Sequence, residues 1–433
     1  MGDRQSRTLE RNVRLYPLYQ ILLNTYFWMP VFFLYFSEHL PLARVLQLEA
    51  IYYAAVVVLE IPSGYFSDTV GRRATLLISA GALIAAYALF FVGSGLEAWT
   101  FEVFVLAQVC LAAGLAFRSG TDTALHFDTL SALERHGEYA AREANAHRYL
   151  LLGRAVAALI GGLAATWQLR FAYGLSLVGA LGLLVVVWML VEPPAPVETE
   201  QGSPLRRGLL RQIGACLGQL SNRSLAWLLG FAVLMTVLNH VPWELYQPYI
   251  KLLIEKRNFA LPGEGTPLVT GTMTAVMFVG ASWAAGRSIR LRDRIGLAPT
   301  LLLATVLQVV IIAAMGWLLH EAIMLLILLR SVPAAIMLPP LRGAVTPQLP
   351  RSLRATYLSL QSLLGRLAFS GTLLLLAAGA RPGAPPDWPA LSSMGLTCAL
   401  AGAAGLVVLG ATARFCLTGL RRPDRDSPPG PIV

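Results

Sequence analysis

The chain has 433 residues, 56% hydrophobic and only 13% charged, with a mean hydropathy of +0.61, whereas an average soluble domain carries roughly 25% charged residues. A soluble globular protein is excluded. The net charge of +10 is accounted for by arginines along one membrane face, so it gives no reason to expect a nucleic-acid partner.

A spanning helix takes ~20 apolar residues. The chain offers twelve such runs, at roughly 15–37, 45–66, 74–94, 102–127, 146–167, 171–191, 224–249, 267–286, 298–318, 321–342, 355–379 and 390–415. The N-terminus is polar and basic, and the first run is too long and too aromatic for a cleaved signal, so the first helix is expected to be retained. An even number of helices puts both termini on one side. Segments on that side hold 24 of the 34 Lys and Arg, loops on the other hold 6, and Arg118, Arg154, Arg330 and Arg366 lie within helices. This bias predicts an integral, multi-pass protein of the plasma (inner) membrane with cytoplasmic termini. The main exception, Lys251, Lys256 and Arg257, reads as an amphipathic extension of helix seven. Cys110, Cys216, Cys398 and Cys416 lack metal-ligand spacing, so free thiols are expected, with no metal and no cofactor.

Between helices two and three, Glu60 to Arg73 reads EIPSGYFSDTVGRR, with Gly64, Asp68, Gly71, Arg72 and Arg73 in the pattern G-x-x-x-D-x-x-G-R-R. The two glycines predict a close reversal, the aspartate a cap or ion pair at a helix end, and the arginines an anchor on the cytoplasmic side. Residues 192–223, rich in Pro and charge and then amphipathic, read as a cytoplasmic linker between six-helix bundles at 1–191 and 224–416. Residues 417–433 read as a disordered tail. A shift of 212 residues superposes Pro30 on Pro242, Arg118-Ser119 on Arg330-Ser331, and Leu152-Gly153-Arg154 on Leu364-Gly365-Arg366. Three matches at one offset indicate an internal duplication. The loop pattern returns only as Asp293-Arg294-Ile295-Gly296, at an offset of 225, with Ile289 in place of the first glycine.

Twelve helices, two pseudo-symmetric bundles, a central loop and the helix two to three motif together resemble the major facilitator superfamily over nearly the whole chain. One departure is Thr69, where many members have Arg or Lys after the aspartate. The resemblance implies an all-α membrane fold, a monomer, and a central cavity lined by helices one, four, seven and ten. It also implies that Asp128 pairs with Arg72 or Arg73 to latch an outward-open state. Helix five keeps Gly153, Gly161 and Gly162 of an antiporter motif but has Ala157 and Ala158 in place of its Gly-Pro, a faint pointer to export.

Ionisable residues inside a bilayer cost ~2.5–3.5 kcal/mol on an insertion scale, so they normally face the interior and have partners. Glu60, Arg118, Asp122 and Arg154 fall at similar depth and are expected to form one cluster, either a bundle lock or a proton site. Arg118 and Arg330 are candidates to face the cavity. Beyond Glu244 the second half has no acidic residue within any predicted helix, leaving Arg330 and Arg366 to meet backbone carbonyls freed near Pro333, Pro339 and Pro340, or a substrate anion. Helices one and seven add Asn24, Trp28, Asn239, His240 and Trp243, a mixture that suits packing and an amphipathic ligand alike. Glu60, Asp122 and Glu244 are the candidate proton carriers, since they are titratable within the membrane.

His126, Asp122 and Asp128 share helix four, but no H-E-x-x-H, G-x-S-x-G or P-loop supports an enzyme, and no ATP-binding motif supplies energy. The expected function is secondary active transport by alternating access, exporting a small amphipathic or anionic organic molecule against protons. Uptake of an organic anion is the rival, and a non-transporting sensor is a third reading. The expected partners are a small-molecule substrate, protons and the lipid bilayer.

Overall fold

The computed structural model describes residues 3–194, 214–257, 265–350 and 353–417. Most of the linker expected at 192–223, the tail beyond 417, and the side chain of Asp68 lie outside the described residues. The described residues form helices and short turns only. In order the helices are α1 (Asp3–Leu23), α2 (Phe32–His39), α3 (Leu42–Val70), α4 (Arg72–Gly93), α5 (Thr100–Arg118), α6 (Thr121–Ala132), α7 (Tyr139–Ala165) and α8 (Arg170–Met189). They continue as α9 (Arg223–Arg257), α10 (Thr266–Ala285), α11 (Ser288–Ile295), α12 (Leu297–Trp317), α13 (Ala322–Leu328), α14 (Val332–Val345), α15 (Arg354–Gly379) and α16 (Trp388–Cys416).

Ten stretches among the described residues are helical, long and apolar enough to cross a membrane. Two of the twelve expected are not. Helix one is interrupted, and helix five has a short apolar part, Leu152–Ala165, behind a polar first half. Apolar side chains such as Val58, Trp188, Leu375 and Leu400 stand exposed on the helices, a surface that suits hydrocarbon and not water.

Helices four and ten, read from sequence as continuous, are broken at the same repeat position. Helix four stops at Arg118 and restarts at Thr121 because Gly120 takes the left-handed conformation, φ 75°. Helix ten stops at Leu328 and restarts at Val332, where Pro333 occupies the first turn and suits a helix start better than a helix interior. The Arg-Ser pair that repeats at 118 and 330 therefore marks a break in both copies.

The helix two to three reversal is tighter than expected. α3 runs to Val70 and α4 begins at Arg72, so Gly71 alone, at φ 119°, turns the chain. Gly64 lies inside α3 with open space beside it and makes no turn, contrary to the reading above. The second copy is less degenerate than its sequence suggested. Gly296, at φ 94°, is again the single residue between two helices, α11 and α12. In both copies a threonine four residues on returns its hydroxyl to the glycine carbonyl at 2.7 Å, Thr75 to Gly71 and Thr300 to Gly296.

The chain packs as two compact units, one of Met1–Leu205, Gln247–Val276 and Phe369–Trp388, the other of Arg206–Tyr246, Met277–Ala368 and Pro389–Val433. In the first unit, residues 24–31 interrupt helix one around Pro30, and the backbone groups freed there find a side-chain partner. Gln247, fully buried, accepts the N–H of Phe33 at 2.9 Å and of Leu34 at 3.3 Å, and donates to the Met29 carbonyl at 3.1 Å. The helix-five glycines have a packing reason. Gly161 abuts the Phe27 carbonyl, and a Cβ on Gly162 would come within 2.6 Å of the Pro267 carbonyl and 3.0 Å of Gly271. In the second unit, Gly365 of α15 packs on Thr236 of α9.

Candidate functional site

The Gly71 loop is held by a residue that the sequence placed in the linker. Glu192, just past α8, accepts the Arg72 N–H at 2.7 Å and the Arg73 N–H at 2.6 Å, so one carboxylate satisfies two of the free donors at the start of α4. A Cβ on Gly71 would sit 3.2 Å from that carboxyl carbon. The Arg73 guanidinium donates to the Trp188 carbonyl at 2.9 Å, and Arg72 donates to Ser67 Oγ at 2.9 Å. Thr121 Oγ1 meets the same Ser67 hydroxyl at 3.1 Å. Asp128 Oδ2 lies 3.6 Å from Arg72 Nε. Loop, α6 and the end of α8 are thus joined at the Arg72-Arg73 pair. Beside them, Asn12 of α1 grips Val191, donating to its carbonyl at 2.7 Å and accepting its N–H at 2.9 Å.

Within the first unit the broken helix four brings Arg118 and Asp122 together. Arg118 is the last residue of α5 and Asp122, 6% exposed, lies in the first turn of α6. Their charges interact across the Gly120 turn, with Tyr19, Tyr26 and Tyr52 also in range of the arginine. Asp122 accepts the Thr123 N–H at 2.8 Å, with the Gln20 side chain close by. The Arg118 Nε is buried and has no hydrogen-bond partner among the described residues. Arg154 donates from Nε to Asn24 Oδ1 at 3.1 Å and stands over the Tyr26 ring at 5.6 Å. Asn24, fully buried, in turn donates to the Gln20 carbonyl. Trp28 donates to the Tyr87 hydroxyl at 3.3 Å, and Glu60 is half-buried on α3.

His126 stacks on Tyr16 with ring centroids 3.9 Å apart and planes 2° from parallel. Tyr16 donates to Glu143 at 3.1 Å and accepts from Gln20 at 2.8 Å. A stacked, buried imidazole is a packing group here, and the proximity of His126 to Asp122 in sequence reflects a polar helix face shared with Gln20 and Tyr16.

In the second unit Arg330 is 5% exposed and lies 4.5 Å from the ring centroids of both Trp243 and Tyr246. Glu244, 1% exposed, interacts with its charge. The expectation that Arg330 has no carboxylate nearby is therefore corrected. α9 runs unbroken through Pro242, which places Trp243 and Tyr246 against one guanidinium with Glu244 in electrostatic range, and leaves the carbonyls near Pro333 uninvolved in any described bond to it. The Arg330 Nε has no hydrogen-bond partner among the described residues. Nearby, His240 Nδ1 donates to the Thr236 carbonyl at 2.6 Å, and Arg366 is in electrostatic range of His240. Asn239 reaches Met337 Sδ at 4.0 Å, and its Oδ1 is buried without a described partner.

Sequence reasoning missed three polar residues in these networks, Gln20, Glu143 and Glu192. Each lies in a run that reads as ordinary helix or linker, and only the folded neighbour reveals its use. Outside the spans, Glu138 is a further unforeseen anchor. It accepts hydrogen bonds from Arg135 and Arg142, which hold its carboxyl down at about 2. Arg135 also reaches Glu10 on α1 at 2.5 Å.

Comparison with known proteins places these features. The model of the Major Facilitator Superfamily matches residues 20–373. No curated protein matches the sequence. Among solved structures, the nucleoside transporter NupG aligns with a TM-score of 0.74 at 12% identity, covering 94% of this chain and 99% of that one. An auto-inhibited POT family peptide transporter gives 0.69 at 14% identity, covering 98% and 99%. A D-xylose–proton symporter gives 0.63 at 12% identity, covering 91% and 97%. At these identities the likeness concerns the fold.

Proposed function

Because the chain belongs to the Major Facilitator Superfamily, we propose that it is a secondary active transporter working by alternating access. Its substrate is a small organic molecule with an anionic group on an apolar body, and protons drive it. One observation carries the substrate class. Each unit buries an arginine Nε, at Arg118 and at Arg330, that makes no hydrogen bond to the described residues, with Trp243 and Tyr246 against the Arg330 guanidinium and Tyr19, Tyr26 and Tyr52 in electrostatic range of Arg118. A carboxylate or phosphate ester supplies the missing acceptor, and an apolar body suits the rings. Asp122 and Glu244 are the proton carriers in this reading, because each already shares its arginine's charge and would release it to the substrate on taking up a proton.

The Arg72–Asp128 pair and Glu192 act as the conformational latch, on the cytoplasmic side with both termini. Export is the direction taken, on the remnant of the helix-five pattern. A second reading, uptake with protons, is favoured by the likeness to a D-xylose–proton symporter. Counterflow in proteoliposomes tests the reading. Aromatic and aliphatic organic anions should exchange, with net movement following an imposed pH gradient. Exchange of lipophilic cations alone would reject an anionic substrate. The sign of the gradient that drives accumulation separates export from uptake.

A further inference from the structure

Glu49 was not singled out by its position in the sequence, yet it is a deeply buried carboxyl in the first unit. It lies two turns into α3, inside the apolar span Leu42–Glu60, and is 5% exposed. Gln108 on α5 donates from Nε2 to Glu49 Oε1 at 2.9 Å. Among the described residues no cation lies within ion-pair distance of it. Two further buried polar atoms next to it have no hydrogen-bond partner among the described residues, the Gln108 Oε1 and the Tyr173 hydroxyl. Tyr173 is the one other group in described electrostatic range of Glu49.

The chemistry of this pair is lopsided as a carboxylate and complete as an acid. A carboxylate has no donor, so the buried Gln108 carbonyl oxygen stays unmet, and the negative charge stays uncompensated in a low-dielectric span. A carboxylic acid and a primary amide pair through two parallel hydrogen bonds, N–H to C=O and O–H to C=O. Protonation of Glu49 at Oε2 supplies the donor that Gln108 Oε1 lacks.

A route to water is at hand. A cavity of about 340 Å³ is lined by Tyr35, Glu38, His39, Ser94, Thr166 and Arg170 among others. Tyr35, which lines the cavity, packs on Tyr173 with ring centroids 4.7 Å apart, and Tyr173 is in electrostatic range of Glu49. The titratable or charged groups around this path are Tyr35, Glu38 and His39 at the α2 end, Tyr87 on α4, and Tyr173 and Arg170 on α8, while Gln108 on α5 is neutral.

We propose that Glu49 is a proton-binding site, filled and emptied through the Tyr35-lined cavity and stabilised as an acid–amide pair with Gln108. A hydronium ion in the cavity supplies the proton, an O–H bond forms at Glu49 Oε2, and water is left behind. The site deepens the transport reading and rests on it only for the use made of the proton.

The test is an infrared pH titration of the purified full-length protein, which needs no substrate. The carbonyl stretch of a protonated carboxyl should persist at neutral pH in the wild type, disappear in Glu49→Gln, and remain in Asp122→Asn. Gln108→Met should keep the band and shift it, as one of two hydrogen bonds is lost, and this second variant decides the matter if Glu49→Gln does not fold. A band that is absent at neutral pH, or that survives Glu49→Gln or is unmoved by Gln108→Met, overturns the assignment. Proton-driven flux, measured separately, can fail without touching this result, so failure of the transport reading is distinguishable from failure of the site.

Discussion

The carboxylate of Glu192 sits over Gly71 and accepts both N–H groups that open α4, at 2.7 and 2.6 Å, although Glu192 follows Arg72 by 120 residues in sequence. The reversal between helices two and three is therefore fixed from outside the loop. Gly71 carries two constraints, a positive φ of 119° and the close carboxylate, whereas Gly296 carries only the first, at φ 94°, with Pro299 Cδ at a comfortable 3.7 Å from a Cβ placed there. Gly71→Ala is expected to destabilise by about 2–4 kcal/mol, and Gly296→Ala by about 1–2 kcal/mol, the order of cost of forcing a side chain into a positive-φ, extended-ψ backbone that glycine alone adopts freely. Thermal melts in detergent check the order. Equal effects would remove Glu192 from the account of the loop.

Gln247 holds the interruption of helix one by three hydrogen bonds from a fully buried amide. Gln247→Leu keeps the bulk and strands the N–H groups of Phe33 and Leu34 and the Met29 carbonyl. A loss of about 2–4 kcal/mol is expected, since each unmet buried polar group costs about 1–3 kcal/mol and the freed groups can partly re-pair. Gln247→Glu should be tolerated better at acid pH, where its acid form again both donates and accepts. Melting temperatures of both variants across pH decide it.

Arg330 rests between Trp243 and Tyr246 beside Glu244. Arg330→Met retains the contact with the rings and removes the charge. Binding of organic anions is expected to fall about 10- to 100-fold, the worth of one charge-assisted hydrogen bond, with neutral compounds of the same shape unaffected. Isothermal titration against matched acid and amide ligands makes the comparison. Equal losses for both would make Arg330 a structural residue.

Glu138 gives the acid limb outside the membrane. Hydrogen bonds from Arg135 and then Arg142 hold its carboxyl down at about 2, below the ordinary value of about 4.3. A depressed carboxyl contributes stability that is fully present above the ordinary value and is lost as pH falls through about 2. Glu138→Gln should therefore flatten the stability profile between those limits, modestly, because the group is exposed and screened. Added salt should shrink the difference between the two proteins, and a profile unchanged by the substitution would mean that the Arg135 cluster contributes nothing.

What could be read in advance follows from what each signal depends on. Apolar run length shows nearly every helix, because hydrocarbon imposes it on each segment alone. The duplication shows in Arg118 and Arg330 because the repeat preserves a place, but not what surrounds that place. Asp122 lies just past Arg118 in sequence, across the break at Gly120, whereas Glu244 comes from a distant helix, so no offset could have paired both. Breaks at Gly120 and at residues 24–31 were hidden because Gly and Pro are tolerated within spans wherever a neighbour satisfies the backbone. Glu192 and Gln247 act through contacts with residues far away in sequence, and Glu49 reads as a polar residue near a helix start until Gln108 and Tyr173 are seen around it. Gly296, discounted in sequence for want of a partner glycine, makes the same one-residue turn as Gly71 because only that residue needs a positive φ.

The most direct measurement is flux in proteoliposomes under an imposed pH gradient, with radiolabelled organic anions, lipophilic cations and neutral amphiphiles supplied in turn. The account predicts that anions move, that their movement collapses when the gradient is dissipated, and that Arg330→Met removes it. Movement of cations or neutral compounds in place of anions, indifferent to Arg330, would contradict it.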